Sequence, residues 1–432
     1  MGCRPPRSSR SVRDGIVTDD LRAQLASEIA HWRQASAALS DLDVIASPAA
    51  WAGLEQYLST QVRRRLESIA TSIQLEAAQV QLALDRGSDL AEVRRQVLRL
   101  RGRYLQAETV HDFYLDAITT RSVPELAAVL RGLDRLAGDA LDMTLRPLGI
   151  EAPPVLVYLD RGLGASILRA NIRLFDDANP SPAAAIKITR HNLLYPTALL
   201  HECGHQFAHL TGWTAELAQA FATVLGRESR ELGEMWRSTA SEVAADVYAF
   251  ALSGWASIPA LANVVDGTTA AVYRRIPGDP HPYPLLRVLF NAALSRAWYG
   301  PGPWDVVARS WAMRHRPDRM PGEIGELTRR SLASMGTIVH LCTRQPMEAF
   351  KGRPLHAVAD PKRMHPASID RLVRRAGPSL LTSPYLARRE SLSILAWLTT
   401  RSVVDPLQAK EHRERLRKWL AWFGAETVPA AA

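Results

Sequence analysis

The chain has 432 residues, 47% of them apolar and 22% charged, with no run of eighteen uncharged apolar residues; two or three structural units are expected and a membrane span is not. The net charge of +9 is scattered, only five of the 53 basic residues are lysine, and no basic motif is interleaved with aromatics, so nucleic acid is not an expected partner. Three widely separated cysteines, Cys3, Cys203 and Cys342, exclude a full disulfide framework and point to a reducing compartment, the cytoplasm.

Residues 1–18 are rich in Arg, Ser and Pro and show no periodicity, so a disordered basic tail is expected. No apolar segment of a secretory signal follows it, and Pro6 stands where a myristoylation motif starting at Gly2 calls for Ser or Thr. From 19 to 120 the chain is nearly free of Gly and Pro and repeats apolar residues every three to four positions, with "DRGSD" at 85–89 as the break. This predicts a long antiparallel helical hairpin with a solvated outer face, long enough to bind a protein partner or to self-associate.

A region over 121–345 follows. In it "PVLVYLD", "SILRANIRLFD" and "AAAIKITR" are short, β-rich and bounded by turn residues, which predicts a small, mainly antiparallel sheet. The third strand leads into "YPTALLHECGHQFAHLTGW". Pro196 suits the first turn of a helix and Gly212 its C-terminal cap, giving a helix over 196–211, with further helices over 214–236 and 240–252. The remaining chain, including 346–432, reads as a helical C-terminal region packed on the unit before it.

His201 and His205 lie one helical turn apart, so both imidazoles leave the same face and can reach one small cation. Glu202 sits beside the first of them, where it can accept a proton from water at an open coordination position. The five residues His-Glu-Cys-Gly-His form an HExxH motif. Cys203 points away from the pair and suits a small buried position, while His209 is a further two turns along, about 12 Å of rise, too far to share the ion. A third ligand must come from another element. "STASEVAADVYAF" supplies Glu242 in the first turn of a helix that Thr239 or Ser241 can cap, with Asp246 one turn further on the same face. The apolar neighbours of these carboxylates predict burial, and a buried carboxylate needs a charged partner.

HExxH followed by Glu-xxx-Asp resembles the gluzincin class of zinc metallopeptidases over about 190–290. The resemblance implies an α+β, predominantly helical fold with a zincin-like catalytic unit. It implies Zn2+ held by His201, His205 and Glu242, with Glu202 as general base and Asp246 supporting a ligand histidine. It also implies that the strand "AAAIKITR" lines the substrate cleft. "GDPHPYPLLR" at 278–287 resembles the His-Pro segment that some gluzincins place after the third ligand. His281 and Arg287 are then candidates to stabilise the oxyanion, Arg287 alternatively braces Asp246, and Tyr283 is a weaker donor. The function expected is zinc-dependent hydrolysis of a peptide or protein substrate. The alternative is a catalytically silent zincin-like domain serving a helical protein-interaction module, against which an intact Glu202 argues.

Overall fold

The computed structural model describes residues 8–58, 61–160, 165–168, 183–276 and 278–425. They are predominantly helical, with one three-stranded sheet and one pair of two-residue strands, which makes the chain α+β. Two compact units divide them close to residue 120.

The first unit contains α1 (Ser8–Ala38), α2 (Pro48–Leu58), α3 (Val62–Asp85) and α4 (Leu90–Thr120). Helix α1 begins inside the stretch expected as a tail; residues 1–7 lie outside the described residues. Helices α3 and α4 are joined through Gly87 at φ 77°, and Asp89 starts α4 by accepting from the N–H groups of Ala91 and Glu92. Instead of a bare hairpin, the unit has α1 as a further helix against this pair. A two-helix seam leaves one side of its apolar stripe in water, and Leu25 and Ile29 of α1 close it over Val80, Leu84, Val93 and Val97.

The second unit opens with α5 (Pro124–Leu145) and a sheet of β1 (Val155–Leu159), β2 (Ser166–Leu168) and β3 (Ala184–Ile188), ordered β1-β3-β2. Val157 faces Ile186 in a parallel pair, and Ile167 faces Ile186 in an antiparallel one. The sheet is therefore mixed, not mainly antiparallel: β3 lies between the other two and can match the direction of only one of two opposed neighbours. Of the strand expected over "SILRANIRLFD", Ser166–Leu168 is seen, and the remainder lies outside the described residues. Strand β1 is an edge strand whose outward backbone groups need partners. Asp134 of α5 accepts from the Val157 N–H at 2.7 Å, and Arg121, itself bonded to both Asp134 oxygens, donates to the Val157 carbonyl at 2.7 Å. One buried ion pair thus takes the place of a neighbouring strand.

Residues Arg190–Leu194 form a 3-10 turn closed by Thr189 and Asn192, so the helix predicted over 196–211 begins slightly later, as α6 (Ala198–Thr211). Gly212, at φ 76°, ends it. The single helix expected over 214–236 is two, α7 (Trp213–Leu225) and α8 (Arg230–Ser238). The break follows Gly226: a Cβ on Gly233 would stand 2.8 Å from the Gly226 Cα, so the chain folds on itself there, and Ser229 caps α8 through the Leu232 N–H. Helices α9 (Ala240–Ser253) and α10 (Ser257–Val265) make a run that is long and apolar enough by composition to cross a membrane. Of its most apolar window, 72% is buried inside the protein, which gives that apolarity a packing role.

The chain continues through α11 (Thr269–Val272), α12 (Pro284–Tyr299), α13 (Pro303–His315), α14 (Gly322–Ala333), α15 (Met335–Thr343), α16 (Pro366–Ala376), α17 (Pro384–Arg389), α18 (Ser391–Val404) and α19 (Ala409–Ala425). The region from 346 onward belongs to the same compact unit as the sheet and α6. Helix α19 lies against α5 at van der Waals backbone distance: a Cβ on Gly132 would meet the Leu420 carbonyl oxygen at 2.3 Å, and one on Gly424 would meet the Ala128 oxygen at 2.0 Å. Arg131 and Arg135 of α5 donate to the terminal carbonyls of Gly424 and Phe423, satisfying the C-terminal end of α19.

In the first unit, burial holds the His111 imidazole down to about 4, outweighing the Leu66 backbone contact that favours the charged ring. Its folded value lies below the ordinary 6.5, so its contribution is complete above pH 6.5 and is lost as pH falls toward 4. The expected size is on the order of 2–3 kcal/mol. Chemical denaturation of parent and His111→Leu across that window should show a steeper loss of stability in the parent; equal slopes would contradict it.

Candidate metal centre

The centre is made where α6 crosses α9. A Cβ on Gly204 would stand 2.7 Å from the Cα and 2.9 Å from the oxygen of Ala245, so only glycine at this point lets the two backbones touch. Glu242 and Asp246 lie within one turn of Ala245, and the contact brings both carboxylates to the histidines of α6. Cys203 is fully buried in the core, and His209 is exposed at the far end of the helix.

His201, His205 and Glu242 offer ligand atoms that all lie within 4.8 Å of one another, a group that could hold a metal ion. The Glu242 oxygens stand 3.2 Å from the His201 Nε2 and 3.3 Å from the His205 Nε2. Each imidazole is engaged at its other nitrogen, His201 Nδ1 by Asp246 at 2.8 Å and His205 Nδ1 by the Ser241 hydroxyl at 3.3 Å. Without an ion the Nε2 atoms face Glu242 as hydrogen-bond partners; with one bound, an Nδ1 proton donated to either partner would leave each Nε2 lone pair for the ion. The donor set of two imidazoles and one carboxylate is chemically suited to a divalent transition metal.

Helix α12 completes the surroundings. Arg287 donates to both oxygens of Asp246, from Nε at 2.7 Å and from Nη2 at 2.9 Å, and Nη2 also lies 3.4 Å from Glu242. Asn291, one turn further, donates to Asp246 at 3.3 Å. Of the two roles foreseen for Arg287, the fork against Asp246 is the one seen. His281 stands with Nε2 3.2 Å from Glu242 and Nδ1 2.5 Å from Asp279, half-exposed at the mouth of the site. Its hydrogen bond with Glu242, opposed by partial burial and aided by Asp279, raises its pKa and favours the charged ring. Tyr283 is not brought to the centre: its buried hydroxyl bonds Thr328 at 2.8 Å.

The electrostatics follow from placing several carboxylates together out of water. Burial works against ionised Glu242 and Asp246. For Glu242 the bonds from His201, His205 and His281 overcome it, and for Asp246 the Arg287 charge does, so both are held far below the usual carboxylate range. Burial also opposes charge on His201, but Asp246 and Glu242 lift it to about 10. Glu202 differs. It is buried, no hydrogen bond to its carboxylate forms among the described residues, and burial raises its pKa against the pull of His201 and His205. It lines a cavity of about 350 Å³ together with His201, His205, Glu242 and His281.

The strand at this cavity is β2, through Ser166 and Ile167 with Ala165 just before it, and not the expected β3. Strand β3 has neighbours on both edges, so an edge facing the cavity can belong only to an outer strand. Asp279, Ser241 and Asn291 are site residues missed from the sequence. Asp279 was within reach of a sequence reading, since an aspartate two residues before a turn histidine can bond its backbone and its ring. Asn291 shares the helix face of Arg287, whereas nothing in the sequence distinguishes the role of Ser241 from that of a helix cap; the hydroxyl goes to His205 instead.

No protein family, curated protein or solved structure matches this chain. Two outcomes test the geometry. Asp246→Asn should weaken divalent metal binding about 10–100-fold, because the ring of His201 loses its charged acceptor; isothermal titration showing parental affinity would contradict the assignment. Gly204→Ala should force α6 from α9, costing about 1–3 kcal/mol of stability and lowering metal affinity, both measured on the same preparation.

Proposed function

We propose that this chain is a metal-dependent peptidase, with zinc as the metal and a zincin-like catalytic unit formed by α6, α9, α12 and the sheet. The observation that carries the reading is the position of Glu202. A buried carboxylate without a hydrogen-bond partner among the described residues borders a cavity beside two oriented imidazoles and Glu242. Three protein donors opening on a cavity is the arrangement of a centre that keeps a coordination position for chemistry.

Zinc held by His201, His205 and Glu242 would supply the Lewis acid that polarises a carbonyl and acidifies water. The remaining steps belong to the protein. Glu202, with its pKa raised by burial, takes a proton from water and returns it to the leaving amine. His281, charged and steadied by Asp279, donates to the oxygen that becomes negative as the carbonyl turns tetrahedral. Arg287 acts through Asp246, keeping its carboxylate ionised and the His201 ring fixed. The β2 edge supports a peptide substrate: among the described residues no strand pairs with its outer side, and an extended chain could add there as a strand beside the cavity.

Glu202→Gln should retain full metal stoichiometry and lose peptidase turnover at least 100-fold, since the proton acceptor goes while the ligands stay. Plasma emission metal analysis and peptide cleavage on the same sample decide it, and retained turnover would overturn the role of Glu202. Glu242→Ala should instead reduce bound metal, because two imidazoles alone hold it poorly; parental metal content would remove Glu242 from the ligand set.

A further inference from the structure

Two adjoining cavities, of about 740 and 780 Å³, share Arg363, Glu390 and Ser393 on their walls and form one groove. The end of α5, the 3-10 turn Pro361–Met364, α16, α17 and the start of α18 line it. It lies at the other end of α9 from the metal centre. A Cβ on Gly254, which ends α9, would stand 2.9 Å from the oxygen of Met364 on the groove wall, and Gly254 follows Glu242 by about 18 Å of helix. We infer that this groove docks an acidic, extended segment of a partner protein, with apolar residues set among its carboxylates.

The charge balance of the walls points to an anion. Asp142 pairs with Arg146, Asp139 accepts from the Ser391 hydroxyl at 2.8 Å, and Asp360 accepts from the Lys362 N–H at 3.0 Å. Glu390 accepts from the Ser393 hydroxyl at 3.1 Å and faces Arg363 at 3.7 Å. The four carboxylates on the walls are thus all engaged by the protein. Lys362, Arg371, Arg375, Arg388 and Arg389 also line the groove, are exposed, and have no carboxylate at ion-pair distance among the described residues. Arg371 donates to the Ser368 hydroxyl, Arg388 to the Pro384 carbonyl and Arg389 to the Tyr385 hydroxyl, which leaves most of each guanidinium fork for carboxylates brought from outside.

The shape and the rest of the lining select the occupant. Each cavity is within the size range of ligand sites, about 300–1,000 Å³, and each has its own unmatched cations: Arg388 and Arg389 in one, Lys362, Arg371 and Arg375 in the other. A single small anion fills one cavity and leaves the other unmatched, whereas an extended segment crosses both over the Arg363–Glu390 pair. Met143, Met364 and Leu392 on one wall, and Ile369, Leu372 and Leu386 on the other, offer apolar surface to side chains between the acids. Nucleic acid fits less well, because unpaired bases bind by stacking on aromatic rings and neither wall carries one among the described residues.

The test is fluorescence anisotropy of the full-length protein with a labelled peptide repeating Glu-Glu-Leu, run with and without chelator to separate binding from metal-dependent cleavage. The peptide should bind equally in both, more weakly as salt rises, and ~10-fold or more tighter than a Gln-Gln-Leu repeat. Arg371→Glu with Arg375→Glu, and separately Arg388→Glu with Arg389→Glu, should each weaken it ~10-fold. Arg274→Glu with Arg309→Glu makes the same change of charge on exposed residues outside both cavities and should alter affinity less than about 2-fold. Circular dichroism should show all three variants folded, since every substituted residue is exposed. Absence of binding, or equal weakening by the outside pair, overturns the groove, and binding lost with chelator moves the peptide to the metal centre and overturns it too. Tighter binding of poly-dT than of the peptide, or displacement of the peptide by micromolar inorganic phosphate, overturns the acidic segment as its occupant.

Discussion

The backbone contact between α6 and α9 at Gly204 and Ala245 is the constraint on which the candidate centre depends. Helix pairs separated by ordinary side chains lie about 8–10 Å apart, and the glycine brings α6 and α9 to backbone contact. With a glycine at the crossing, Asp246 reaches His201 at 2.8 Å and Glu242 stands between both rings. The glycine of His-Glu-Cys-Gly-His therefore has a mechanical role as definite as those of its histidines.

Bringing Glu202, Glu242 and Asp246 out of water together is costly, and the protein offsets it with cations delivered by α12 and the segment before it. Arg287 grips Asp246 with two hydrogen bonds, and His281 faces Glu242. This leaves Glu202 as the one carboxylate of the three with no bonded partner among the described residues, which is why its environment differs from that of its neighbours. The division resembles a general pattern in which nearby acids acquire different tasks through their surroundings.

The close crossing of α5 with α19, through Gly132 and Gly424, applies the same small-residue device elsewhere in the unit. It draws the last described helix into the core that carries the sheet and α6, so residues beyond 346 are structural parts of this unit. At the sheet, Asp134 and Arg121 bond the backbone N–H and carbonyl of Val157 in β1, while Ser166 and Ile167 of β2 line the cavity.

Local spacing made much of this legible. The turn-to-turn repeats of His201 with His205 and of Glu242 with Asp246 are properties of a helix, so the sequence alone determined which side chains share a face. Gly212 and Gly87 marked chain reversals because the left-handed backbone favours glycine, although the break after Gly226 escaped notice, since glycine there acts through a close approach and not through φ. What the sequence by itself determined is therefore the helical character of the chain and the content of each face. Only tertiary structure decided that α1 packs on the α3/α4 pair, that the sheet is mixed with β2 at the cavity, that Arg287 braces Asp246, and that Ser241 holds the ring of His205. Those pairings join residues on different elements, and their geometry is set by close packing, which no local periodicity encodes.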